Sequence, residues 1–178
     1  MIFVVNENIS EVEKIEEDTF THLNIWERQH IQEWIRESPE LLGEELLVVS
    51  IEFDRFKNSN DRLDILALDR SGNIVVIELK RDSFAGYADL QSIRYAAMVS
   101  SMTIKSLLPY YIDYQNKTLN EKDVTEESSL IKIQEFVNSD SFDEFSNKPR
   151  IILCSEDFSQ EITTTVWSSP DFMDTISR

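Results

Sequence analysis

A mixed α/β domain built on one central sheet is what this 178-residue sequence predicts. Three observations carry the prediction. Strand-length apolar runs and stretches of helical period follow one another as strand, helix, three strands, two or three helices, strand, helix. The run "VVIELK" is apolar on both alternations, as in a strand covered on both faces. Between "RLDILALD" and "NIVVIELK", the segment "RSGN" is a hairpin turn with Gly72 available for a positive φ.

The elements follow in order. "MIFVV" reads as a first strand, and residues 9–20 as a short acidic helix or loop. A helix is expected from Asn24 to Ser38, with Asn24 as N-cap, Glu27 three residues on as in a capping box, and Pro39 closing it. "PELLGEELL" turns around Gly43, and "LLVVSIEF" is a strand. "DRFKNSND" is polar and loop-like, and the hairpin follows. Residues 87–101 have helical period. Thr103 can cap a second helix, "IKSLLPYYIDYQN", in which Pro109 sits early or makes a kink. Residues 124–138 read as an amphipathic helix, "RIILCS" as a late strand and "SQEITTTVW" as a short helix. "SSPDFMDTISR" is ambiguous.

Composition narrows the classes. With 41% apolar and 29% charged residues, the chain is that of an ordinary globular protein. No apolar run reaches the roughly 18 to 20 residues of a membrane helix, so no membrane partner is expected. The lone Cys154 cannot form an internal disulfide and reads as a small apolar residue in "IILC"; a reducing, cytoplasmic setting is expected. The net charge of −17 argues against nucleic acid, but the charge is uneven. Residues 1–20 hold six acids and one Lys, and residues 113–146 hold nine acids and three Lys. Residues 61–105 hold six of each sign and are neutral.

That neutral segment places charge inside apparent core strands. Alternation puts Glu78 and Lys80 on one face of "VVIELK", and burying them without partners is costly. Asp64 enters the preceding strand. A three-residue turn places Asp64 opposite Lys80 and beside Glu78; a two-residue loop at Ser71-Gly72 turns it to the other face. The three-residue turn is the expectation. Two carboxylates and an ammonium are the donor set for a hard divalent cation and phosphoryl chemistry, or else a buried ion-pair cluster. Helical spacing puts Glu27 on the side of Ile31 and Trp34, where it is either a cap or a third carboxylate. Gln91 and Tyr95, four apart on the later helix, share a face.

Taken together, Glu27, Asp64, Glu78-x-Lys80 and Gln91-x-x-x-Tyr95 resemble the PD-(D/E)xK nuclease superfamily, in particular its RecB/NucS-like branch. The likeness covers about residues 25–105; "PD" reads Leu63-Asp64 here. It implies a restriction-endonuclease-like core with a central mixed β-sheet flanked by helices, in one domain over residues 1–178. Residues 106–178 would complete that domain in a role not assigned, and similar proteins often continue past such a segment. It also implies a Mg²⁺-dependent nuclease, with Mn²⁺ as substitute, acting on nucleic acid, DNA before RNA. Glu27, Asp64, Glu78 and the Leu79 carbonyl would hold the metal. Lys80 would orient or activate water, with Gln91 and Tyr95 supporting.

Lys57, Arg81 and Arg94 flank the proposed site as candidate phosphate contacts. Tyr110, Tyr111 and Tyr114 read as packing residues before base-stacking ones. His22 and His30 have no Cys nearby and make no zinc site. The assembly is open and includes a homodimer. The alternative to an enzyme is a nuclease-like fold that has become a binding module for nucleic acid or protein.

Overall fold

The computed structural model describes residues 2–5, 12–54, 62–81, 88–146 and 148–158. Its centre is a four-stranded mixed sheet in the order β3-β4-β5-β6, formed by β3 (Leu46–Phe53), β4 (Leu63–Asp69), β5 (Ile74–Lys80) and β6 (Arg150–Ser155). The first three strands are antiparallel, and β6 joins β5 in parallel. Helices pack on this sheet: α1 (Gln32–Glu37) on β4, α2 (Ala88–Val99) on β5 and β6, and α3 (Ile104–Lys117) on β3. Helix α4 (Glu126–Val137) packs on α3. The expected α/β class with a central mixed sheet is what forms.

The core is the hairpin β4–β5. Leu63, Ile65, Leu66, Ala67, Leu68, Ile74, Val75, Val76, Ile77 and Leu79 are wholly buried. Each such side chain contributes about 1.5–3 kcal/mol on leaving water, which fixes the two strands between the helical layers. Both alternations are buried because helices cover the sheet, as the apolar run implied.

Several boundaries differ from expectation. The N-terminal strand β1 (Ile2–Val5) stays outside the central sheet and pairs antiparallel with β2 (Val12–Ile15), where a helix or loop was expected. Asn24 does not cap the first helix; it has φ 55, and the helical run begins at Glu27. That run opens as a π-turn, Glu27–Ile31, in which the Ile31 amide donates to the Trp26 carbonyl at 3.2 Å. The extra residue in the turn moves the inward face. Ile31, Gln32 and Ile35 are buried, whereas Trp34, expected inside, is exposed. The Trp26 amide is satisfied by His30 Nδ1 at 2.8 Å. Pro39 starts a short 3₁₀ turn, Pro39–Leu42, which Gly43 closes at φ 87.

The later helices match their signals. Thr103 and Thr125 each accept from the backbone amide three residues on, and Ser106 and Ser128 return the bond. Pro109 lies within α3. Tyr111 and Tyr114 are buried, and Tyr110 meets Phe53 edge-on at 4.7 Å, so these rings pack. The expected helix "SQEITTTVW" lies outside the described residues. No helix among the described residues is long and apolar enough to cross a membrane.

Candidate active site

The hairpin turn sets the geometry. Arg70, Ser71 and Gly72 form a three-residue loop: the Asp69 amide donates to the Asn73 carbonyl at 3.1 Å, and the Gly72 amide to the Asp69 carbonyl at 3.0 Å. Gly72 takes φ 77, as the third residue of such a loop requires. The ladder then runs Leu68–Ile74, Ala67–Val75, Leu66–Val76, Ile65–Ile77. One step further sets Asp64 across from Glu78. The loop length is as expected, but the partner is Glu78, not Lys80. The register differs by two residues, which keeps all three side chains on one face.

At that end of the sheet the charges converge. Lys80 Nζ pairs with Glu78 Oε1 at 2.7 Å. Asp64 Oδ2 accepts from the Leu79 amide at 2.8 Å. Asp64 and Glu78 are both buried, at 5% and 1% exposure. Glu78 Oε2 has no hydrogen-bond partner among the described residues. Burial pushes the Asp64 carboxyl up to about 6, and the charges of Glu27 and Glu52 add to the rise, against the Leu79 amide and Lys80. Burial, with the Asp64 charge beside it, pushes Glu78 up to about 7 in spite of Lys80. Burial opposes the charge of Lys80, but its bond to Glu78 and the neighbouring acids prevail and hold it above the ordinary range.

Glu27 approaches from the π-turn, which packs against β5. Its Oε2 accepts from the Arg81 amide at 3.2 Å, just past the end of β5. Its charge is felt by Asp64, Glu78 and Lys80. Among the described residues, no three His, Cys, Asp or Glu side chains are grouped so that they could hold a metal ion. The structure thus sets Asp64 and Glu78 side by side, with Glu27 near in charge and bonded to backbone.

Gln91 and Tyr95 bond to each other rather than to Lys80. Gln91 Nε2 donates to the Tyr95 hydroxyl at 2.8 Å, and that hydroxyl donates to the Arg62 carbonyl at 2.7 Å. Tyr95 is wholly buried. The pair therefore anchors the backbone that enters β4 two residues before Asp64. Arg81 lies over the Trp26 ring at 4.6 Å and donates to Thr21 Oγ1 at 3.2 Å. Arg94 is exposed on α2. Lys57 lies outside the described residues.

One acid escaped the sequence. Strand β3 carries a bulge between Val48 and Ser50. Past it the pairs Ile51–Ile65 and Phe53–Leu63 bracket Glu52 and Asp64, which set Glu52 across from Asp64. Glu52 has φ 50, a conformation that costs a non-glycine residue about 1–2 kcal/mol. Its partners are Arg28, with Nε 2.9 Å from Oε1, and Arg62, with Nη1 3.3 Å from Oε2. "LLVVSIEF" gives no sign of the bulge, so nothing in the sequence aligned Glu52 with the other acids.

The opposite end of the hairpin is a contrast. Asp69 is also buried, but it accepts from the Ser71 and Asn73 amides, Asn73 Nδ2 and Arg150 Nη1, each at 2.8–2.9 Å. Burial works against its charge, but the bonds from Asn73 and Arg150 prevail and hold its carboxyl below the usual range. Arg150 also pairs with both oxygens of Glu44 at 2.8 Å. That cluster is closed; the one at Asp64 and Glu78 is not.

No family model matches the sequence, and no curated protein matches it. Two solved structures are similar over most of this chain. One is a crystal structure of a repair endonuclease from Pyrococcus abyssi, 16% identical over 88% of this chain and 46% of that one, with a TM-score of 0.40. The other is the structure of an EndoMS-dsDNA2 complex, 18% identical over 89% of this chain and 45% of that one, with a TM-score of 0.39. The chain spans less than half the length of either.

Proposed function

We propose that this protein is a metal-dependent nuclease that hydrolyses phosphodiester bonds, with DNA as its substrate. The observation that carries the reading is the unpartnered, buried Glu78 Oε2 beside Asp64. A buried carboxylate oxygen without a donor is costly, and a bound cation removes the cost. The donors are hard oxygens, which suit Mg²⁺ or Mn²⁺. Asp64, Glu78 and the Leu79 carbonyl would hold the ion, with Glu27 acting through water. When bound, the ion supplies a Lewis acid for the phosphoryl oxygen and a more acidic water.

The chain's own residues have separate tasks. Lys80, a cation beside Glu78, orients the attacking water and stabilises the negative charge that develops on the phosphate. Neutralising Asp64 and Glu78 removes the charges that keep Lys80 protonated, which also equips it to take a proton. Gln91 and Tyr95 hold the start of β4, and so Asp64, in place. The residue pattern and its resemblance to the PD-(D/E)xK superfamily support the same assignment.

The test is cleavage of single-stranded, double-stranded and branched DNA with Mg²⁺ or Mn²⁺. Asp64→Asn and Lys80→Ala should abolish cleavage by a factor of about 10² or more while the fold is retained. Purified protein inert on all three substrates with both metals sinks the reading. The second reading, a nuclease-like fold that binds without cleaving, is favoured by the lack of a third grouped metal-binding side chain among the described residues.

A further inference from the structure

We propose that Arg28 and Arg62, bridged by Glu52 at the edge of the Asp64–Glu78 pair, form a binding site for a DNA backbone phosphate, and that Glu52 occupies the phosphate's place. The proposal rests on the nuclease reading and names the residues that would seat its substrate.

The placement comes from three elements. Arg28 follows Glu27 on the π-turn. Arg62 stands two residues before Asp64, its carbonyl anchored by the buried Tyr95. Glu52 sits across β3–β4 from Asp64. Each carboxylate oxygen of Glu52 takes one guanidinium, at 2.9 Å from Arg28 and 3.3 Å from Arg62. This is how a bridging phosphate, with two outward oxygens, would engage two arginines.

The trio is poorly explained as a device for stability. The arginine side chains are 60% and 50% exposed, and ion pairs so exposed contribute little. The Arg28 contact is close in distance, yet Glu52 Oε1 accepts no hydrogen bond from it. Glu52 holds its position at φ 50, in the left-handed region that disfavours a side chain. A strained carboxylate, loosely held between two exposed guanidinium groups beside an acid pocket, is readily displaced by a phosphate with more charge and more acceptor oxygens. The sequence pointed to Lys57, Arg81 and Arg94 instead; Arg81 is taken up by Trp26 and Thr21.

The experiment is fluorescence anisotropy with a fluorescein-labelled DNA duplex in EDTA, across a KCl series, on variants shown folded by circular dichroism. The doubly substituted Arg28→Gln/Arg62→Gln chain should bind at least about tenfold more weakly. Its log-affinity against log-salt slope should fall by about two, one for each lost phosphate contact. Glu52→Gln should bind several-fold more tightly, because the competing carboxylate has lost its charge. Wild-type affinity and slope in the folded double variant overturn the proposal, as does weaker binding by Glu52→Gln or no duplex binding by wild type. Failure of the nuclease reading shows differently: wild type binds through these arginines but cleaves nothing when Mg²⁺ or Mn²⁺ is added.

Discussion

Asp69 and Glu78 belong to one hairpin, are equally buried, and differ in what surrounds them. The oxygens of Asp69 accept from four donor groups, whereas Glu78 has Lys80 on one oxygen and nothing on the other. That difference has a pH signature. Asp64 and Glu78 rise to about 6 and about 7 from 3.8 and 4.5, so the folded chain holds more protons than the unfolded one between those values. Their contribution to stability therefore falls as pH rises through roughly 4 to 7. Glu78→Gln should stabilise the metal-free protein at pH 8 by on the order of 1–3 kcal/mol and change little at pH 4.5. Urea unfolding at the two pH values measures this, and a loss of stability at pH 8 means that Glu78 is held by partners, as Asp69 is. Asp64, Glu78 and Lys80 were legible in the sequence because charge within an apolar run demands a reason. Arg28, Glu52 and Arg62 were not, because charges in polar or strand-end contexts look like surface.

Three irregular elements decide which side chains face the site: the π-turn, the bulge near Val49 and the hairpin loop. Only the loop was legible, because glycine at a tight turn has a conformational cause. The π-turn and the bulge each insert one residue, and neither leaves a mark that helical or strand period can register, which is why Trp34 was expected inside and Glu52 was overlooked. The loop also has a packing constraint. A Cβ at Gly72 would lie 2.3 Å from Phe142 Cε2 and 2.6 Å from its Cζ, on a residue already at φ 77. Gly72→Ala should destabilise the protein by about 2–4 kcal/mol, from backbone strain plus displacement of the Phe142 ring. A mutant within about 0.5 kcal/mol of wild type in thermal or urea unfolding would show that the loop can rearrange, and the register of Asp64 against Glu78 would then lose its anchor.

At the scale of the molecule, the net charge of −17 acts on both stability and metal binding. An acidic surface repels itself, so raising ionic strength to about 0.15 M should raise the melting temperature of the metal-free chain by screening. The same surface attracts Mn²⁺ without selectivity, which makes a simple metal-induced rise in melting temperature ambiguous. Salt and pH separate the two sources. Diffuse attraction to surface acids is screened within about 4–5 Å in 0.5 M NaCl, while a buried carboxylate pair is screened far less. A cation at Asp64 and Glu78 must also displace the protons these groups retain up to about 6 and about 7. Its stabilisation should therefore survive high salt and grow from pH 6 to pH 8, whereas surface acids, ionised throughout, give no such trend. Millimolar Mn²⁺ should raise the wild-type melting temperature in about 0.5 M NaCl and leave Asp64→Asn and Glu78→Gln unmoved. A shift that vanishes in that salt, or that persists in both variants, assigns the metal to the acidic surface and removes the cation from the hairpin.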